Sequence, residues 1–92
     1  MWERTVHDSE TGDLIEFACG QTIMVSGKPK DIIRADNCEL DAVPHIHTFR
    51  RRRGEVKKFI LSADLDEAYD EAGRRVFADP YENERRYRGG RA

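Results

Sequence analysis

The hydrophobic period of this chain changes once, near residue 62, and that change constrains the fold more than any other feature. Downstream, Leu65, Ala68, Tyr69, Ala72 and Val76 recur at helical spacing behind Asp64, with Glu67 three residues on to complete a capping box. Gly73 costs that helix about 1 kcal/mol against alanine. Asp79-Pro80-Tyr81-Glu82 repeats the start signal, with a cap, a proline at the first position and an acid in the first turn. "YENERRYR" is therefore a short second helix or a kinked extension of the first.

Upstream, short β-branched runs alternate with turn residues. "WERTVHD" and "DLIEFAC" flank the polar turn "SETG", where Gly12 accepts a positive φ, and Ile15, Phe17 and Cys19 share one face. "QTIMVS" follows Gly20, "GKPK" turns, and "DIIRAD" is another strand. "NCELDAV" reads as a loop ending at Pro44, which biases Val43 to extended geometry. Residues 45–50 then pair with 55–61 across the turn "RRRG". Strands first and helix last predict an α+β fold: an antiparallel β-meander of about five or six strands, followed by a C-terminal helix packed on the sheet. One domain spans residues 1–88, and 89–92 form a flexible tail. There are no repeats.

At 92 residues the chain is near the lower limit for a core without staples, so a homodimer interface or a ligand is an expected aid to stability. No apolar run is long enough to span a membrane, and the first residues lack signal-peptide character, so the cytoplasm is the expected location. In a reducing compartment Cys19 and Cys38 are expected to be thiols. The net charge of −2 hides an asymmetry: residues 1–43 are net −5, residues 44–63 net +5 and residues 64–92 net −2. Such a chain is no general nucleic-acid coat, but its one basic element can hold a few phosphates.

That element is "PHIHTFRRRRGEVKK", residues 44–58. On a strand His45, His47 and Phe49 share a face, and a two-residue step of about 6.6 Å lets both imidazoles reach one phosphate or one metal. Beside them Arg50, Arg51, Arg52, Arg53, Lys57 and Lys58 supply cations. Metal-independent RNA cleavage needs these two services, acid–base groups and charge for the developing anion. The plainer alternatives are hydrogen-bonded sheet histidines and a solvated arginine turn. A competing metal site would use Cys38, His45 and His47, with Cys19, His7 or Asp36 as a fourth ligand. The paired-cysteine knuckles usual for structural zinc are missing, so neither a metal nor another cofactor is expected. Asp64, Asp66, Glu67, Asp70 and Glu71 read as helix-start and solvated carboxylates. Tyr81 and Tyr87 suit base stacking or packing equally.

Over residues 36–68 the chain resembles the TumE-type toxin components of bacterial and archaeal toxin–antitoxin modules. The resemblance rests on Asp36 and Asn37, a short loop, then Pro44, His45, His47, Thr48 and Phe49, a basic turn, and a strand leading to an acidic helix. The turn is all arginine where that family tends to carry histidines. A second group of small toxin-module proteins, with a Pro-His-x-His strand ahead of a Glu-x-Lys strand, is similar over the same stretch. The resemblance implies a small toxin acting on RNA, with a DNA-binding antitoxin as partner. His45 and His47 would then be the acid–base pair of an endoribonuclease, the arginines its phosphate grip, and Asp36 and Asn37 supporting polar groups. The alternative is a non-enzymatic binding module from a phage or mobile element, in which the basic hairpin docks an acidic partner and the histidines are structural.

Overall fold

The computed structural model describes residues 1–37, 43–52 and 54–89, with the backbone alone at residue 57. Five strands precede two helices: β1 (Trp2–His7), β2 (Leu14–Val25), β3 (Lys28–Asp36), β4 (His45–Arg50), β5 (Gly54–Ile60), α1 (Leu65–Phe77) and α2 (Pro80–Tyr87). The strands pair in chain order, each antiparallel to the next. The meander and the helices on one face are as the sequence predicts.

The "DLIEFAC" and "QTIMVS" runs are one continuous strand, because Gly20 does not break it. Gly20 sits where the Trp2 ring crosses β2: an added Cβ would lie 2.9 Å from that ring and 2.7 Å from the Ile33 carbonyl oxygen. The glycine is therefore a packing requirement rather than a turn. The real turn falls one residue before "GKPK", at Ser26 and Gly27, whose φ values of 52° and 78° match the two-residue turn favoured between twisted strands. Pro29 then sits inside β3, opposite Met24. It is tolerated because β4 pairs with β3 only from Ile33 onward, so no ladder bond is missing on that side.

The helices start as the sequence predicts. Asp64 accepts a hydrogen bond from the Glu67 amide at 3.0 Å, and Asp79 accepts one from Glu82 at 3.0 Å. The return half of the first capping box runs through Ser62, whose hydroxyl donates to Glu67 and accepts from the Asp64 amide. Ala68, Ala72 and Val76 form the buried stripe of α1, flanked by Leu65, Tyr69 and Phe77. This stripe lies on the sheet face that carries Phe17, Cys19, Ala35 and Ile46, with the Tyr69 ring edge-on to Phe17 at 5.5 Å. A buried polar network fixes α2. Asn83 donates to Gln21 Oε1 at 2.9 Å and to the Val76 carbonyl at 2.8 Å, while Gln21 donates to the Pro80 carbonyl at 3.1 Å. Every amide group at this elbow is partnered, so the network holds a defined angle at little cost in desolvation.

Candidate functional site

Cross-strand partners point to the same face of a sheet. Two rows therefore run across all five strands on the face away from the helices. One row is Trp2, Gly20, Arg34, His47 and Lys58, and the other is Arg4, Ala18, Asp36, His45 and Ile60. Where the rows cross β2 the residues are the small Gly20 and Ala18, and the Trp2 ring lies against Gly20. Ile46, between the histidines, points to the helices with Ala35 and Phe59.

His45, His47 and Asp36 are 1%, 4% and 5% exposed, so this is a polar cluster within the folded chain. The histidine rings meet edge to face, 4.3 Å apart, and His47 stacks on Phe49 at 6.1 Å. Each ring is oriented through Nδ1. His45 Nδ1 donates to the Val43 carbonyl at 2.5 Å, and His47 Nδ1 donates to the Glu55 carboxylate. His45 Nε2 faces Asp36 Oδ1 at 3.3 Å. The other oxygen of Asp36 is 2.9 Å from Arg34 Nε, and the Arg34 guanidinium lies 5.9 Å over the Phe49 ring. Together Asp36, His45 and His47 offer one ligand atom each, all within 4.8 Å of one another.

Asn37 does something different from Asp36. Its side chain accepts from the Phe17 amide at 2.9 Å and donates to the Ile15 carbonyl at 3.1 Å, extending the β2–β3 ladder beyond its last backbone pair. It positions β3 and does not enter the histidine cluster. Glu55 and Arg34, which orient His47 and Asp36, were not singled out from the sequence. Glu55 had a visible signal, as the one acidic residue among the basic ones of residues 44–63.

The arginines lie elsewhere. Arg50, Arg51 and Arg52 gather at the hairpin tip with Arg88, Tyr87 and Gly89 around a hollow of about 430 Å³. The Arg51 amide donates to the Tyr87 carbonyl at 2.9 Å, tying the tip to the end of α2. Lys58 is exposed in the histidine row. The expected site is thus split: the structure places the histidines inside the sheet face and the arginines at its end. Arg53, Cys38 and residues 90–92 of the expected tail lie outside the described residues, as does the side chain of Lys57. Tyr87 is buried and packs into the core, whereas Tyr81 is 88% exposed. No helix among the described residues is long and apolar enough to cross a membrane. No protein-family model, curated protein or solved structure matches the chain.

Proposed function

We propose that the protein is a nucleic-acid-binding component of a toxin module, gripping the phosphates of an RNA strand with the tip of the β4–β5 hairpin. The observation that supports this is the crowding of Arg50, Arg51 and Arg52 with Arg88 around one hollow. Arg88 is paired with Glu84 at 3.1 Å, but among the described residues no carboxylate pairs with Arg50, Arg51 or Arg52. Neighbouring guanidinium groups repel one another, and each offers a planar fork that matches phosphate oxygens. Part of this charge also faces the carbonyl end of α2, which favours cations.

Binding of a single-stranded RNA should weaken with salt at a log–log slope of about 0.7 per phosphate neutralised, with about two to four phosphates engaged. The double substitution Arg51→Ala and Arg52→Ala should flatten that slope. RNA cleavage, with His45 and His47 as acid and base, is the further step of this reading. It requires that a phosphodiester reach two imidazoles that are almost fully buried, so the binding half has more support than the catalytic half. Loss of RNA cleavage by about 10²- to 10⁴-fold in His47→Ala, with the fold intact, is the result that would establish the catalytic half.

The separation of histidines from arginines favours one second reading: a non-enzymatic module whose arginine tip docks an acidic protein. No measurable RNA binding at low salt would select it. An antitoxin or a second copy of the chain would meet the outer edge of β5, where Val56, Phe59 and Ile60 are exposed hydrophobic residues on a strand that, among the described residues, is paired along one side only.

A further inference from the structure

The geometry points to a transition-metal site built from Asp36, His45 and His47, with Glu55 as the carboxylate that sets the ligating nitrogen of His47. Carbonyl and carboxylate oxygens only accept hydrogen bonds, so the Nδ1 atoms of both rings carry the protons they donate to Val43 and Glu55. In a neutral imidazole the lone pair is then carried by Nε2. A histidine that donates its other N–H to a carboxylate or a backbone carbonyl is the usual arrangement around a ligating imidazole.

With His45 neutral, its Nε2 meets Asp36 Oδ1 at 3.3 Å, acceptor against acceptor, and a cation between them, metal ion or proton, makes the contact favourable. The spacing suits a metal ion: with bonds of about 2.0–2.1 Å, adjacent donors of a tetrahedral zinc lie about 3.3 Å apart. One ligand atom from each of Asp36, His45 and His47 lies within 4.8 Å of the other two, so small side-chain movements suffice to converge the three residues on one ion. Arg34 holds the other Asp36 oxygen and so presents Oδ1 inward. Two imidazoles and one carboxylate form a donor set suited to zinc, iron, cobalt or nickel rather than to calcium or magnesium. The site shares no side chain with the arginine hollow, so it stands or falls separately from RNA binding. It does exclude metal-free acid–base work by the same two Nε2 atoms.

The test uses the full chain, stripped with a chelator and titrated with zinc alone, with cobalt as a spectroscopic probe. The expected result is saturable uptake of about one ion per chain, a thermal midpoint that rises with zinc, and cobalt bands of low-coordinate nitrogen and oxygen ligation. His47→Gln and Asp36→Asn should abolish uptake. Glu55→Gln, at a half-exposed side chain that is no threat to folding, should keep the stoichiometry and lower affinity by about 10- to 100-fold. If either ligand variant fails to fold, the Glu55→Gln affinity decides the location. A stripped wild-type chain that takes up no zinc and melts at the same temperature with or without it overturns the site. So does zinc affinity unchanged in Glu55→Gln, or in a folded His47→Gln chain. In the first case a proton shared between His45 and Asp36 is the cation that joins them.

Discussion

The two faces of the sheet are buried by different means. The helix face is closed by small and apolar groups: Ala68, Ala72 and Val76 lie against Phe17, Cys19, Ala35 and Ile46. Their attraction is non-directional, and it requires volume and little else. On the opposite face Asp36, His45 and His47 are as inaccessible as the core, yet each is held through particular atoms by Arg34, Val43 or Glu55. The helix face should therefore forgive a change of shape and punish a loss of volume. The histidine face should punish a change of one atom at constant volume.

The largest expected effect is on the helix face. Phe17 is fully buried, and Phe17→Ala should destabilise by about 3–5 kcal/mol, enough to unfold much of a small domain. Phe17→Leu, which keeps most of the volume, should cost clearly less in a denaturant melt. Next comes the isosteric Asp36→Asn, which removes the charge facing Arg34 and His45. It should cost about 1–3 kcal/mol, because the partly buried Arg34 guanidinium, 2.9 Å from the carboxylate, loses its counter-charge. If Asp36→Asn proves milder than Phe17→Leu, the contrast between the faces is wrong.

The same contrast explains what the sequence made legible. The period change at residue 62, the caps at Asp64 and Asp79 and the stripe on α1 are local signals, each set by residues a few positions apart. All three appear in the structure. The two-residue step from His45 to His47 is also local, and it correctly places both on one face. Their surroundings are not local: Asp36 reaches His45, and Arg34 faces His47, only through the β3–β4 register, nine to thirteen residues apart along the chain. Burial of the pair depends on that register. Gly20 misleads for a similar reason. Within its own stretch it reads as a break between strands, and only the approach of Trp2, from the other end of the β1–β2 hairpin, shows it to be a packing position.

A smaller effect is expected where the helix face is closed by α2. Asp79→Ala removes the cap on the Glu82 amide and should cost about 1 kcal/mol in a denaturant melt. Because α2 meets the sheet through Gln21 and Asn83 rather than through a broad apolar stripe, the loss should appear first as faster amide exchange in residues 80–87. A loss spread evenly over both helices would mean that α2 is held by its packing and not by its elbow.

The smallest effect at neutral pH, and the sharpest probe of the helix face, is the thiol of Cys19. Burial, with the negative charges of Glu3 and Asp36 adding to it, raises its pKa from 9.0 to about 11. Only a thiolate reacts readily with alkylating reagents. At pH 8 the native chain should leave Cys19 unmodified in a peptide map, while the denatured chain is modified there at once. The pKa is raised on folding, so the folded state binds a proton that the unfolded state has already lost at intermediate pH. Stability from this group is intact below pH 9.0 and falls as pH rises from there to about 11. Cys19→Ala should remove that fall while leaving the rest of the pH profile unchanged. Rapid labelling of Cys19 in the native state at pH 8 would show that the face beneath α1 opens to solvent far more often than a closed apolar layer allows.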